Sequence, residues 1–228
     1  IERAIHEPEL LPRILDGLTV PASDMFRDPT MFRGLREHVF PLLASYPQIN
    51  IWQAGCAHGQ EVYSLAILLE EADLYERTQI FATDLSDRAL QQAQDGIYPA
   101  REAQQWSRNY QASGGTRSLA DYYSARYNLL KIDQHLRRNV TFAKHNLVSD
   151  GVFCEAHLVL CRNVLIYFSN PLQDRVLSLF RDSLVRGGFL CLGLRESLDY
   201  ASYAREFTAF DERLRIYRLA SHQERKRA

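Results

Sequence analysis

The chain has 228 residues, of which 46% are hydrophobic and 24% charged, and its formal net charge is −1. This composition argues against a disordered chain and against a strongly basic nucleic-acid-binding protein, and it is sufficient for a buried core. No apolar run approaches the roughly 20 residues of a membrane span, and the first residues do not resemble a signal peptide. We therefore expect one cytoplasmic domain of about 200 residues with a small appendage.

Helical patterns precede the first predicted strand. Residues 1–20 place apolar side chains on one side of a short helix that Pro21 ends, and Met31–Leu43 predict a second helix. Because Ile1 is not an initiator methionine, we expect the chain to be a piece of a longer protein. The main domain is predicted over residues 21–220, and the polar residues 221–228 are expected to fray.

Strands and amphipathic helices alternate from residue 49 onward. Short apolar runs predict strands at 49–54, 79–83, 157–161 and 189–193. Helices are predicted after Gly59, after the N-cap Ser86 and over 172–184, the last one ended by Gly187-Gly188. The alternation predicts an α/β fold with a mostly parallel, doubly wound sheet, and residues 205–219 predict an antiparallel hairpin at its edge.

A stretch from about residue 99 to 145 interrupts this alternation. It contains many aromatic residues and a soft turn at Ser113-Gly-Gly115. Long insertions in α/β sheets often serve as functional elements or covering lids. We predict a small inserted subdomain and keep two interpretations of its aromatic residues, which form either a core of their own or a functional surface.

Cysteine spacing speaks against a metal centre. The four cysteines, at positions 56, 154, 161 and 191, show none of the paired spacing that zinc sites or disulfide frameworks need. We therefore expect buried, reduced thiols and no metal ion.

Gly55-Cys-Ala-His-Gly59 separates the first predicted strand from the helix that follows it. Glycines at the carboxyl end of such a strand let the backbone approach a ligand closely, although this spacing matches neither a dinucleotide motif nor a P-loop. Asp84 strengthens the case, because it ends the next strand, 25 residues after Gly59. A carboxylate there can accept hydrogen bonds from both hydroxyls of a ribose. The alternative is that Asp84 merely caps the next helix.

Arg162 and Asn163 interrupt the otherwise apolar run from Leu160 to Phe168. Buried polar groups need partners, so these two side chains are expected to bind a ligand or the backbone. Tyr167 follows at a position that can line the same mouth. The alternative is a core strand whose Asn163 caps the next element.

These motifs together identify a family. The chain resembles the CheR family of chemotaxis receptor-glutamate methyltransferases over about residues 18–217. The matching stretches are Phe26-Arg27, Trp52-Gln-Ala-Gly-Cys-Ala-His-Gly-Gln-Glu-Val-Tyr-Ser64, Ala82-Thr-Asp84, Asp95-Gly-Ile-Tyr98, His145-Asn-Leu147, Cys161-Arg-Asn-Val-Leu-Ile-Tyr-Phe168 and Gly193-Leu-Arg-Glu-Ser197. The resemblance implies a class I, Rossmann-like methyltransferase fold, with residues 1–20 as the last helix of a truncated N-terminal helical domain.

The resemblance also implies a cofactor and a set of residues around it. Family members bind S-adenosylmethionine, with S-adenosylhomocysteine as product and no metal. The implied cofactor contacts are Ser23, Arg27, Ala54, Gly55, Glu61, Asp84, Asn146, Leu147, Arg162 and Asn163. The implied catalytic residues are Arg27, which would orient a carboxylate, and Tyr167, which would donate a hydrogen bond beside the reacting methyl group.

Some positions depart from the family pattern. His58 and Gln60 stand where the first loop usually has a small hydroxyl residue and a glutamate, and Pro21-Ala22 replace a more polar approach to Ser23. The region 113–117 lacks a clear glycine and arginine pattern for docking a receptor's C-terminal pentapeptide. We therefore expect no such tether.

The resemblance predicts methyl transfer to glutamate side chains in the helical cytoplasmic domain of chemoreceptors. It predicts no nucleic-acid partner and no insertion into the membrane. One alternative is a methyltransferase that acts on another protein or on a small acid, since fold does not fix substrate. The other is a module that binds S-adenosylmethionine or S-adenosylhomocysteine for signalling or interaction, with weak catalysis.

Overall fold

The computed structural model describes residues 23–198 and 201–220. The predicted helix over residues 1–20 and the predicted frayed tail at 221–228 lie outside these residues. Within them, ten strands form two sheets. The strands are β1 (Ile49–Ala54), β2 (Thr78–Asp84), β3 (Ile97–Pro99), β4 (Tyr123–Arg126), β5 (Leu129–Ile132), β6 (Val140–Lys144), β7 (Ala156–Cys161), β8 (Leu184–Leu192), β9 (Phe207–Asp211) and β10 (Ile216–Leu219).

Six α-helices accompany the strands in the described residues. They are α1 (Pro29–Gly34), α2 (Phe40–Leu43), α3 (Gln60–Glu71), α4 (Asp87–Asp95), α5 (Ala103–Ala112) and α6 (Asn170–Ser183). A π-helical turn, Leu35–Val39, joins α1 to α2. The helix predicted over Met31–Leu43 thus begins two residues earlier, at Pro29, whose fixed φ suits the first turn of a helix.

The main sheet has seven strands in the order β6-β2-β1-β7-β8-β10-β9. The first five are parallel, and β10 runs antiparallel to both β8 and β9. The predicted mostly parallel sheet with an antiparallel edge hairpin is confirmed. The chain moves outward from β1 to β2 and β6, then returns to place β7 on the other side of β1. Strand order therefore reverses between β1 and β7, where open α/β sheets bind their ligands.

Two hydrophobic clusters cover the two faces of this sheet. Neighbouring side chains of β1 point to opposite faces, so Ile51 lies in one cluster and Trp52 in the other. The helix α3 packs its apolar residues into the first cluster, and α6 contributes Phe180 to the second. The buried Trp52 donates its indole N–H to Thr83 Oγ1 at 2.9 Å, so its polar atom is satisfied inside the core.

The glycine pair Gly187-Gly188 does not end a helix. The helix α6 already ends at Ser183, and Leu184, predicted to be its last residue, begins β8, which runs through both glycines. Gly187 has a φ of +77°, and the pairing of β8 with β7 shifts register nearby, between Ala156 and Leu158. The glycines therefore accommodate an irregularity within a strand, which in sequence looks the same as a helix stop.

The inserted segment forms a second, three-stranded antiparallel sheet in the order β3-β5-β4. The predicted range of 99–145 begins too late, because β3 starts at Ile97. It also extends too far, because β6 lies inside it and is the edge strand of the main sheet. The buried aromatic residues of the insertion do not form a separate core, since Trp106, Tyr110 and Tyr122 belong to the first main cluster. By contrast, Tyr127 at the tip of the β4–β5 hairpin is 95% exposed.

A buried carboxylate fastens this insertion to α3. Glu71, whose side chain is 1% exposed, accepts hydrogen bonds from the hydroxyls of Tyr110 and Tyr122 and from Arg36 Nη1 at 2.8 Å. Arg36 also donates to the carbonyl of Gly114 at 2.7 Å. Burial alone would raise the pKa of Glu71, but the hydrogen bonds from Tyr110 and Tyr122 outweigh it, with help from the Thr116 N–H and Arg36, so the pKa is lowered.

Candidate cofactor site at the reversal of strand order

The loop that follows β1 depends on two glycines. Gly55 has a φ of +72°, and a Cβ there would lie 2.5 Å from Cγ2 of Val164. Gly59 has a φ of +86°, and a Cβ there would lie 2.8 Å from Cβ of Ala93. Both positions therefore combine left-handed backbone with close packing, which only glycine tolerates without strain. The loop directs its backbone toward the end of β2.

Asp84, at the carboxyl end of β2, shapes this loop. Its Oδ2 accepts a hydrogen bond from the N–H of Ala57 at 2.8 Å, and its Oδ1 accepts one from the N–H of Ser86 at 3.0 Å. The N-cap of α4 is the side chain of Ser86, which accepts from the N–H of Ala89. Asp84 therefore does more than cap a helix. Each carboxylate oxygen keeps a lone pair for a further donor, as a ribose would require.

Arg162, directly after β7, lies at the centre of a buried charge network. Its Nη1 donates to Glu61 Oε2 and its Nη2 to Asp28 Oδ2, each at 2.5 Å, while the side chain is 1% exposed. Nη1 also donates to the carbonyl of Arg27 at 3.3 Å. Burial alone would lower the pKa of Arg162, but the charge of Glu61, together with that of Asp28 and the hydrogen bond to Glu61, raises it. The two carboxylates thus make burial of the cation tolerable.

Unpaired polar atoms lie beside this network. Gln53 donates through Nε2 to Glu61 Oε1 at 2.9 Å, but its Oε1 has no partner. Oε1 of Gln60 and Nε of Arg162 are also buried without partners. Buried acceptors and donors without partners are costly, and they fit a ligand that carries both kinds of group. An amino-acid moiety, with its ammonium and carboxylate, is such a group.

The segment before α1 covers this network. Phe26 and Asp28 have positive φ values of 54° and 57°, and the N–H of Phe26 donates to Ser64 Oγ of α3 at 2.8 Å. This conformation brings Asp28 and the carbonyl of Arg27 onto Arg162. Ser23 and Arg27, both predicted to contact a cofactor, lie partly exposed on the same segment.

The loop after β7 carries the predicted catalytic tyrosine. Asn163 has a φ of 59°, and Tyr167 ends a short 3₁₀ turn, Leu165–Tyr167, with its side chain 61% exposed. Glu196, for which no role was predicted, accepts hydrogen bonds from the N–H groups of Asn163 and Ile166. Its only signal in the sequence is its place within the Gly193–Ser197 motif.

The loop after β6 lies at the same edge of the sheet as the loop after β1. The N–H of His145 donates to the carbonyl of Asp84 at 3.1 Å, which holds this loop beside the end of β2. Asn146 Oδ1 accepts from the N–H of Val148 at 3.0 Å, and Leu147 is buried. The predicted residues thus come together at the carboxyl ends of β1, β2, β6 and β7 and on the segment before α1.

The reversed strand order, the glycine loop, the acid at the end of β2 and the antiparallel edge hairpin together are features of the class I, Rossmann-like methyltransferase fold. Residues 22–213 match the family model described as CheR methyltransferase, SAM binding domain. The match covers more than half of the chain, which therefore belongs to the CheR family of S-adenosylmethionine-dependent methyltransferases. S-adenosylmethionine is its cofactor.

Relatives agree with this assignment. The chain is 48% identical to methyltransferase Cher3 of Pseudomonas putida, over 95% of this chain and 80% of that protein. It is 30% identical to a chemotaxis protein methyltransferase of Listeria innocua, over 83% of this chain and 70% of that protein. It also matches an uncharacterised 104.1 kDa protein of Rhodobacter capsulatus at 32% identity, over 95% of this chain but only 23% of that protein.

A solved structure of the StiE O-MT segment, residues 961–1257, superposes with a TM-score of 0.42 at 17% identity. The overlap covers 71% of this chain and 42% of that one. The fold assignment does not depend on it. Within residues 23–198 and 201–220, no helix is long and apolar enough to cross a membrane. The same residues contain no group of three His, Cys, Asp or Glu side chains placed to hold a metal ion.

Proposed function

We propose that this methyltransferase esterifies glutamate side chains in the helical cytoplasmic domain of chemoreceptors, and that it does so in the cytoplasm. One observation carries the proposal. The loop after β7 buries Arg162 against two carboxylates and, five residues later, leaves Tyr167 61% exposed near the same strand end. The names of relatives, such as the chemotaxis protein methyltransferases of Listeria and Vibrio, point to the same substrate class.

The residues divide between holding the cofactor and presenting the acceptor. Asp84 and the loop from Gly55 would hold the ribose end, and Asn146 with Leu147 would flank the adenine. Glu61, Arg162 and Asn163 would hold the amino-acid end, where Gln53 and Gln60 keep unpaired acceptors. Ala54 and Ser23 complete the binding set. When bound, S-adenosylmethionine supplies an electrophilic methyl group on a positively charged sulfur.

Chemistry at this site needs alignment more than proton transfer. A glutamate carboxylate is already ionised at neutral pH, so its oxygen would need no general base to accept the methyl group that the cofactor would supply. Arg27 pairs with the carboxylate and Tyr167 donates a hydrogen bond that orients it. Both act by holding the oxygen in line with the methyl group, which is catalysis by proximity and orientation. The products are a glutamate methyl ester and S-adenosylhomocysteine.

Cofactor binding is tested first, by isothermal titration with S-adenosylhomocysteine. Asp84→Asn removes one acceptor from a carboxylate that holds both the loop and the ribose, so the affinity should fall about tenfold or more. Asp87→Asn is the matched control, because its carboxylate pairs with Lys144 in an exposed ion pair three residues away. Its affinity should stay within about twofold of the parent, since exposed pairs contribute little. Equal losses in both variants would contradict the role of Asp84.

Methyl transfer is tested with tritiated cofactor and purified cytoplasmic receptor fragments from the organism of origin. The product should release volatile methanol on treatment with base, and a fragment whose acceptor glutamates are replaced by alanine should release none. Tyr167→Phe should lower kcat about tenfold or more by removing one oriented hydrogen bond. Tyr127→Phe, on the exposed β4–β5 hairpin, serves as the control. A protein that binds the cofactor but labels no receptor fragment would contradict the proposed substrate.

A further inference from the structure

Glu196 connects the two loops that leave the carboxyl ends of β7 and β8. Glu196 is 4% exposed, and its carboxylate accepts three hydrogen bonds from backbone N–H groups. Oε2 accepts from the N–H of Gly193 at 2.6 Å and from that of Asn163 at 3.0 Å. Oε1 accepts from the N–H of Ile166 at 3.3 Å. A single side chain thereby fixes the backbone of both loops.

The two loops approach so closely that a side chain would not fit between them. A Cβ at Gly193 would lie 2.7 Å from Glu196 Oε2 and 2.8 Å from the backbone nitrogen of Asn163. Asn163 is held in left-handed backbone, with a φ of 59°. A turn closes the second loop, where the N–H of Glu196 donates to the carbonyl of Gly193 at 2.9 Å. The contact is thus specified at both ends, by a glycine and by a strained asparagine.

We propose that Glu196 is a positioning residue for methyl transfer and acts through the backbone of the 163–167 loop. This inference rests on the proposed function. The side chain of Tyr167 is mostly exposed, so little packing fixes it, and its position depends on the 3₁₀ turn that begins at Leu165. Glu196 holds that turn at Ile166 and holds its entry at Asn163. Oε2 therefore holds the backbone of Asn163, the proposed cofactor contact, and Oε1 holds the turn that carries Tyr167, the proposed catalytic residue.

Replacing Glu196 by glutamine should affect the hydrogen bonds of its two oxygens differently. Glutamine at position 196 keeps the shape of the side chain but replaces one oxygen by an NH₂ group. The remaining oxygen should face Gly193 and Asn163, where two donors need it. The NH₂ group should then face the N–H of Ile166, where two donors repel each other. Glu196→Gln should therefore loosen the turn that carries Tyr167 while leaving Asn163 in place.

Amide hydrogen exchange tests the contact without any methyl acceptor. In Glu196→Gln, the Ile166 amide should exchange about tenfold faster than in the parent, while the amides of Asn163 and Gly193 change by less than about threefold. Glu196→Ala should accelerate all three. Glu37→Gln, a change at an exposed glutamate, should alter none of them. If Glu196→Ala does not fold, Glu196→Gln alone still decides, and unchanged Ile166 exchange would overturn the inference.

Kinetics test whether the contact acts through Tyr167. Glu196→Gln should lower kcat about tenfold, with KM for the cofactor and Kd for S-adenosylhomocysteine within about threefold of the parent. In a Tyr167→Phe background the same change should lower kcat by less than about threefold. If the kcat losses of Glu196→Gln and Tyr167→Phe were fully additive, or if Glu196→Gln lowered only the affinity for the cofactor, the inference would be overturned. A parent protein that methylates no receptor fragment would contradict the proposed function, whereas the exchange result would still decide whether Glu196 holds the turn.

Discussion

Strained residues cluster around the cofactor site. Of the eight residues other than glycine with positive φ in the described part of the chain, four surround the site: Phe26, Asp28, Ala57 and Asn163. Each such conformation costs roughly 1–3 kcal/mol and persists only where neighbouring contacts compensate. Here the N–H groups of Phe26, Ala57 and Asn163 each donate to a buried or part-buried side chain. The strain therefore marks where the backbone is held against its own preference to form a ligand site.

Gly55 gives the sharpest prediction for a single residue. Gly55→Ala should cost about 1–2 kcal/mol for the left-handed conformation and about 1–3 kcal/mol more for the contact with Val164. Urea unfolding measures this loss of stability, and titration should show S-adenosylhomocysteine binding weakened about tenfold or more as the loop shifts. Adding Val164→Ala to Gly55→Ala should restore the stability lost to the clash with Val164. The stability lost to the left-handed conformation should remain lost.

A matched glycine separates this effect from a general cost of adding a methyl group. A Cβ at Gly151 would meet nothing within 4 Å, and its φ is not positive. Gly151→Ala should therefore leave both stability and cofactor binding within about 0.5 kcal/mol of the parent. Similar losses at both positions would show that the close approach of Gly55 to Val164 is not what the loop depends on.

At the scale of elements, Glu71 decides how the insertion is attached. The carboxylate lies at the end of α3 and binds the two tyrosine hydroxyls of Tyr110 and Tyr122, which come from the insertion. The hydrogen bond to Glu71 also affects the ionisation of Tyr110, because burial together with this bond raises the pKa of Tyr110 to about 12. The insertion is thus fastened by charge-assisted hydrogen bonds in a buried setting, which are stronger than neutral ones.

Glu71→Gln should destabilise the protein by about 2 kcal/mol at pH 7, since hydrogen bonds to a charged group contribute about 1.5–3 kcal/mol. Because the pKa of Glu71 is lowered in the folded state, its stabilisation is present above its ordinary value of 4.5 and is lost as pH falls through the folded value. The difference in unfolding free energy between parent and variant should therefore shrink below about pH 4.5. Urea unfolding between pH 3.5 and about pH 8 measures it.

The control for this prediction is Glu76→Gln. Glu76 pairs with Arg138 on the surface, with its side chain 75% exposed, so its loss should change stability by less than about 0.5 kcal/mol at any pH. A Glu71→Gln difference that stays constant from pH 7 down to about pH 3.5 would mean that the charge of Glu71 does not fasten the insertion.

Most elements predicted from local patterns were confirmed, whereas β6 was missed and the start of β8 was misplaced, because both depend on pairing with distant strands. The strands β1 and β7 were predictable because each is a short apolar run buried on both faces. The strand β2 was predictable from its short apolar run that ends at Asp84, although it is only partly buried on one face. By contrast, β6 alternates polar and apolar residues and is identifiable only by its pairing with β2. The glycine pair in β8 has two local interpretations, and only the pairing with β7 distinguishes them.

The same division applies to the candidate site. Gly55, Asp84 and Arg162 follow predicted strands, so their meeting at one edge of the sheet was foreseeable. The ion pair that Arg162 forms with Asp28 joins residues 134 positions apart, and the Glu196 bond to Asn163 spans 33 positions. No local pattern encodes such contacts. The resemblance to a family identified the motif that contains Glu196, but only the geometry assigns Glu196 a role.

For the whole molecule, the four thiols report on its two hydrophobic clusters. Cys56 and Cys191 lie in the cluster on one face of the sheet, and Cys161 lies in the cluster on the other. Burial raises the pKa of all three, and Cys191 reaches about 12. Cys154 is partly exposed, and burial raises its pKa to about 11. None of the four is a reactive thiolate at neutral pH.

Alkylation should therefore distinguish Cys154 from the other three. At pH 8 only about one in a thousand Cys154 side chains is a thiolate, so iodoacetamide should react slowly, about tenfold faster for each pH unit up to about 11. Cys56, Cys161 and Cys191 should react only on unfolding, with one shared urea midpoint, because both clusters pack on the same sheet and should unfold as one unit. Mass spectrometry after quenching resolves the sites, and Cys154→Ser should remove the early reaction. If Cys161 became reactive at a lower urea concentration than Cys56, the two faces of the sheet would be separate cooperative units.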